Sequence, residues 1–186
     1  RALPAAREVL AGLRARDGVL AVLGNHDYYA DAGHVRTWLA SLGARVLVNE
    51  HAAIDRDGAR LVIAGLDDVT EGAPEPLAGC HPDVRPHLVL SHNPDGVRVL
   101  SPRLGEPLVL SGHTHGGQVV FPFYGAPLTM SRVCGRTTAS GWIPNPWFPL
   151  YVVRGIGVQI PIRFLCPPEL LVVRLTAEKR EDGASG

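Results

Sequence analysis

Gly112-His113-Thr114-His115-Gly116-Gly117-Gln118 sets two imidazoles two residues apart inside a glycine-rich turn. Neutral imidazole is the commonest metal-binding side chain, and glycines let the backbone take positive φ and leave room beside an ion. Two further segments carry compatible donors: Gly24-Asn25-His26-Asp27 and Ser91-His92-Asn93-Pro94. Each of the three follows a short apolar run, Val19 to Leu23, Leu88 to Leu90 and Leu108 to Leu110. Such runs, bounded by turn residues, read as strands buried on both faces. Open α/β sheets place their sites beyond the C-terminal ends of such strands. Asn25, His92, His113 and His115 are therefore the candidate ligands of a metal site.

The other histidines read differently. His34 and His51 lie in polar segments, His81 in a proline-rich stretch, and His87 follows Pro86 at a strand start, where it caps or faces solvent. Asp27 suits an Asx turn or a helix cap. Gly116, Gly117 and Gln118 shape the loop, and no Ser or Cys is placed as a nucleophile.

The three motifs, with Gly65-Leu66-Asp67-Asp68, the run Leu150 to Gly157 and the tail Arg163 to Glu169, resemble the calcineurin-like metallophosphoesterase superfamily. They are most similar to its bacterial YkuE/YaeI-type branch, from about Gly18 to Leu175. The resemblance implies an α/β fold, a metallophosphoesterase-like αββα sandwich of two packed mixed sheets flanked by helices. It implies two divalent metal ions, of Mn, Fe, Zn or Ni type, which N/O donors suit. Asn25, His92 and His113 would hold one ion and His115 would serve the other. His26 would protonate the leaving oxygen, with Asp27 orienting it. The implied reaction is hydrolysis of a phosphodiester, phosphomonoester or pyrophosphate bond by a metal-bound hydroxide. Its substrate would be a small molecule, a lipid-linked phosphoester or a nucleotide sugar.

The superfamily pattern opens with Asp-x-His and Gly-Asp strand ends, and neither is here; Glu8 and Asp17 are the acidic residues before Asn25. The expectation is a C-terminal fragment without the first strands, with one domain over residues 1–176 and a disordered tail over 177–186. Peripheral membrane association would come from the upstream part, and localisation and oligomeric state stay open. The alternative function is a non-catalytic metal-binding or interaction fragment, because half of the dinuclear site is absent. A different metallohydrolase, lactamase-like or amidohydrolase, is disfavoured by the Asn25-His26-Asp27 triplet.

Composition agrees with a single enzyme-sized domain. The 186 residues carry 18 basic and 18 acidic side chains, which gives no global case for nucleic acid, so none is expected. Cys80, Cys134 and Cys166 lack metal-type spacing and read as structural thiols. No apolar run reaches the roughly 20 residues of a membrane span.

The elements that must position the donors alternate along the chain. Ala5 to Arg16 reads as an amphipathic helix presenting Val9, Leu10 and Leu13. A second helix runs from about His34 to Leu42 and ends at Gly43. Strands are expected at Val19–Leu23, Arg45–Asn49, Ala52–Asp55 and Arg60–Leu66, the last two joined by a hairpin at Asp57-Gly58. Glu71 to Pro86 is loop. Pro94 opens a short helix capped by Asn93. Further strands are expected at Gln118–Phe121, Leu150–Arg154 and Leu170–Leu175. Phe121, Phe123, Tyr124, Trp142, Trp147 and Phe148 make Val119 to Pro149 an aromatic-rich, irregular segment. It suits either an apolar substrate or a cover for the sheet end.

Overall fold

Leu88-Val89-Leu90 and Leu108-Val109-Leu110 form the paired centre of a six-stranded mixed sheet in the computed structural model, which describes residues 3–75, 85–158 and 160–176. The helices are α1 (Leu3–Leu10), α2 (Asn25–Ala30) and α3 (Ala32–Ser41). The first strands are β1 (Val19–Ala21), β2 (Ala44–Val46), β3 (Glu50–Arg56) and β4 (Ala59–Gly65). They are followed by β5 (Leu88–Ser91), β6 (Leu108–Ser111), β7 (Gly141–Trp142) and β8 (Leu150–Val152). The large sheet has the order β3-β4-β5-β6-β8-β7, with β4, β5, β6 and β8 parallel and an antiparallel strand at each edge. A second small sheet pairs β1 with β2 in parallel.

The central runs bury as parallel strands must. Val89, Val109 and Val152 are fully enclosed and pack with Leu66, Val97, Leu104, Ile143 and Phe148. Leu23, Val35 and Val46 make a second cluster, which joins α3 to the small sheet. The two sheets approach at Gly65, where a Cβ would lie 2.3 Å from Leu47 Cβ and 3.0 Å from Val22 Cγ1. Only a residue without a side chain permits that approach.

Local chemistry sets the turns. The β3–β4 hairpin turns at Asp57-Gly58 with φ of 51° and 79°, the left-handed pair that a tight hairpin needs. Asn93 caps a 3-10 turn over Pro94–Arg98 by accepting from the Asp95 amide at 2.9 Å. Asp31 caps α3 through the His34 amide at 3.1 Å, and Gly43 follows its end with φ 89°.

Several expected elements differ. The first helix ends at Leu10, not Arg16; beyond it Arg14 donates to the Ala11 and Leu13 carbonyls, and Val9 and Leu13 are exposed. The β1 run is half-buried, since it pairs with β2 alone. Gln118–Phe121 forms single bridges in place of a strand, because the chain reverses at Gly125, where Phe121 and Gly125 exchange two backbone bonds. Leu170–Leu175 has no strand partner among the described residues, and an extended segment without a ladder is not a strand. Strand β7 had no signal beyond a glycine beside a tryptophan. The expected disordered tail, Cys80 and His81 lie outside the described residues.

Candidate metal centre

Three of the four expected ligands meet. His92 leaves the end of β5 and points its Nε2 at Asn25 Oδ1, 3.1 Å away, and at His113 Nδ1, 3.2 Å away. The two imidazoles meet edge to face, with ring centres 5.1 Å apart. Asn25 opens α2, His92 follows β5 and His113 follows β6. Donors come from three strand ends, as their sequence positions predicted.

The hydrogen count of this contact set is informative. His113 Nε2 lies 3.0 Å from the Met130 carbonyl oxygen, which only accepts, so Nε2 carries the proton. In the neutral ring Nδ1 then offers a lone pair. Asn25 Oδ1 has no proton either. His92 Nε2 can donate to one of its two neighbours, and the other contact sets lone pair against lone pair. Donor atoms each about 2.1 Å from one cation sit roughly 3.0–3.4 Å apart when adjacent. The observed separations lie in that span, so the donor set fits a divalent ion. A ring N–H held by a backbone carbonyl is also the usual support of a ligating histidine.

Burial holds the His92 imidazole down to about 4, with the neighbouring His113 acting in the same direction and Asp68 opposing. The ring is therefore neutral at pH 7. His115 is lowered as well, first by burial and then by the Arg163 guanidinium. Its Nδ1 is buried without a hydrogen-bond partner, while a side-chain hydrogen bond to Gln118 acts against the lowering. The structure does not bring His115 into the contact set of the other three. Among the described residues no three His, Cys, Asp or Glu side chains gather as a metal-holding group; the cluster is two histidines and an amide oxygen.

The backbone around these donors is built for close approach. A Cβ on Gly24 would lie 2.6 Å from atoms of the His92 ring. His113 and His115 take positive φ, 66° and 52°, a strained region that clusters at functional sites. Thr114 steadies the loop by donating to the Ala139 carbonyl at 2.7 Å and accepting from the Gly116 amide at 3.1 Å. Gly116, Gly117 and Gln118 all take positive φ, and the Gln118 amide donates to the Ile160 and Ile162 carbonyls. These three residues shape the loop, as expected.

His26 sits exposed on α2, one residue beyond Asn25, against Tyr29 with ring centres 5.5 Å apart. Asp27 turns back to accept from the Gly24 amide at 2.8 Å and closes the start of a helix, the cap role open to it in the sequence. His87 Nδ1 accepts from the Val62 amide at 3.0 Å, a strand cap as read.

Two contributors were not legible in the sequence. The Met130 carbonyl fixes the His113 tautomer, and a backbone oxygen leaves no side-chain signal. Arg163 reaches the His115 carbonyl at 3.2 Å from a tail that drew notice only by resemblance. Asp67 and Asp68 in the Gly-Leu-Asp-Asp segment are buried. Asp67 accepts from the Tyr28 hydroxyl and so ties α2 to the end of β4, and Asp68 Oδ2 has no partner.

The chain combines a mixed α/β fold with nitrogen and oxygen donors that follow β1, β5 and β6. Among curated proteins, a Bos taurus protein named "Transmembrane protein with metallophosphoesterase domain" is 37% identical over 102 aligned residues, covering 46% of this chain and 23% of the relative. The chain thus spans about a quarter of the length of the relative it matches. Over that stretch the chain is similar to a protein of the metallophosphoesterase superfamily. The six-stranded mixed sheet with its small companion sheet is consistent with a metallophosphoesterase-like fold. No family model and no solved structure matches the chain.

Proposed function

We propose that this chain is the metal-binding part of a phosphoesterase of the YkuE/YaeI-type branch, acting on a phosphodiester, phosphomonoester or pyrophosphate bond. The observation that carries the reading is the meeting of Asn25 Oδ1, His92 Nε2 and His113 Nδ1 at 3.1 and 3.2 Å. Asn25, His92 and His113 would hold one divalent ion of Mn, Fe, Zn or Ni type, and His115 would serve a second. When bound, such ions supply Lewis acidity toward a phosphoryl oxygen and acidify water. The Met130 carbonyl keeps the His113 lone pair turned inward. Gly24 lets Asn25 approach the His92 ring. His26, exposed beside Asn25, would give a proton to a leaving oxygen, and Asp27 closes the helix turn that carries it. By resemblance to that branch, the substrate would be a lipid-linked phosphoester or a nucleotide sugar.

Calorimetric titration with Mn²⁺ and Zn²⁺ tests the reading. The chain is expected to bind an ion, and His113→Ala to abolish that binding. In the protein carrying the upstream motifs, His26→Ala is expected to keep its metal and lose turnover of bis-p-nitrophenyl phosphate about 10²–10⁴-fold. A chain that binds no ion, or a His26 variant with full activity, would overturn it. The absence of Asp-x-His and Gly-Asp favours a second reading for this chain by itself: one ion held and no hydrolysis, a metal-binding module.

A further inference from the structure

We propose that an exposed apolar rim beside the donor loop seats the protein on an anionic lipid surface. The rim comes from two segments that both border the His113–Gln118 loop. Phe121, Phe123 and Met130 belong to the first, Ile162, Phe164 and Leu165 to the second, and all six are exposed. Met130 supplies the carbonyl that accepts from His113. The second segment is bound to Gln118 through the Ile160 and Ile162 carbonyls and the Phe164 amide. The Phe121 and Phe164 rings join the segments, with centroids 6.0 Å apart.

The rim is not an accident of a loosely covered core. Phe123 is 108% exposed at the tip of the turn closed by Phe121 and Gly125, and its φ is 62°. Met130 and Leu165 also take the left-handed region, with φ of 54° and 49°. Bulky apolar residues rarely adopt that conformation, and strain of this kind persists where it serves function. Here it holds three large apolar side chains outward into water, where folding recovers nothing. Exposed apolar side chains on two segments joined by Phe121 and Phe164 make an interaction surface.

Charge identifies the occupant. The chain balances 18 acidic against 18 basic residues, yet residues 107–168 contain four arginines and no Asp or Glu. Arg154 is paired with Glu169 and Arg163 is spent on backbone carbonyls. Arg136 lies over the Tyr124 ring at 4.4 Å, beside Phe123 in sequence, and Arg132 follows Met130 by two residues. Asp95, the carboxylate that reaches this loop, is engaged by the Ser131 hydroxyl and the Arg132 and Val133 amides. Apolar side chains flanked by arginines match acyl chains beneath anionic headgroups. A second copy is the poorer fit, because a two-fold contact would set these arginine-bearing segments, with no Asp or Glu over residues 107–168, against their like. The inference rests on the phosphoesterase reading only for what the neighbouring donor cluster does; the seating itself requires no metal.

Flotation of the whole chain with lipid vesicles tests it, phosphatidylcholine alone against phosphatidylcholine mixed with phosphatidylglycerol. The protein is expected to float with the mixed vesicles and not with the neutral ones. Phe123→Ser, at a position that touches no core, is expected to weaken partitioning about tenfold, and Arg136→Gln about fivefold. Failure of the wild type to bind, equal binding to both vesicles, or a Phe123 variant that binds unchanged overturns the proposal. So does a concentration-dependent dimer that Phe123→Ser dissolves, since the occupant is then a second copy. A chain that floats but takes up no Mn²⁺ sinks the phosphoesterase reading and leaves this one standing. The opposite result does the reverse.

Discussion

Arg163→Met should loosen the whole C-terminal strap. The guanidinium reaches five carbonyl oxygens: His115 at 3.2 Å and Cys166 at 3.1 Å through one terminal nitrogen, and Arg154 at 3.1 Å, Gly155 at 3.2 Å and Gly157 at 2.7 Å through the other. Hydrogen bonds to a charged group contribute about 1.5–3 kcal/mol each in isolation, but these five share one side chain and do not add. Only the 2.7 Å bond is short, and the half-buried site lets water reach some freed carbonyls. A net loss of about 2–4 kcal/mol is expected on this basis. At roughly 2–4 °C per kcal/mol for a domain of this size, Tm should fall by about 5–15 °C. Urea unfolding should show a lower midpoint at unchanged slope. Arg163→Lys keeps the charge without the planar fork and should fall between the two. A loss below about 0.5 kcal/mol, or a lysine variant as stable as wild type, would refute the view that the fork holds the strap.

Gly24→Ala should weaken Mn²⁺ binding without removing a ligand, because the added methyl would stand 2.6 Å from the His92 ring; titration calorimetry reads it, and unchanged affinity would contradict the packing. Tyr28→Phe removes a hydroxyl that Asp67 accepts from, and should cost about 1–2 kcal/mol in urea unfolding. Burial pushes the Glu169 carboxyl up, but the Arg154 amide, the Tyr151 hydroxyl and the Arg154 guanidinium outweigh it and hold the group below its ordinary 4.5. Its contribution is therefore present above about 4.5 and fades as pH drops through the lowered folded value. Glu169→Gln should flatten the acid limb of a stability-versus-pH curve, and an unaltered limb would reject the assignment.

Where local chemistry decides an element, the sequence disclosed it. The hairpin at Asp57-Gly58, the Asn93 cap and the runs of β5 and β6 need only nearby residues. The donor types of Asn25, His92 and His113 were legible because each follows an apolar strand run, but their meeting joins the ends of two different sheets. The failures all involve a distant partner or none. Leu170–Leu175 has strand composition but no described ladder, Gln118–Phe121 is diverted by the Gly125 reversal, and α1 stops at Leu10 with Val9 exposed. Helix α2 spans six residues, Asn-His-Asp-Tyr-Tyr-Ala, too few to show a period, and is held by the Asp27 and Tyr28 bonds. Met130 and Arg163 act on or through main-chain oxygens, which composition cannot reveal.

Asn25 hangs from the two-stranded sheet, whereas His92 and His113 hang from the six-stranded one. A cation gripped by all three would act as a rivet through both layers. Its affinity would then feed directly into resistance to unfolding, by about 2.7 kcal/mol at a hundredfold excess over Kd. The thinner layer, which has the fewest bonds of its own, would gain the most from that fastening.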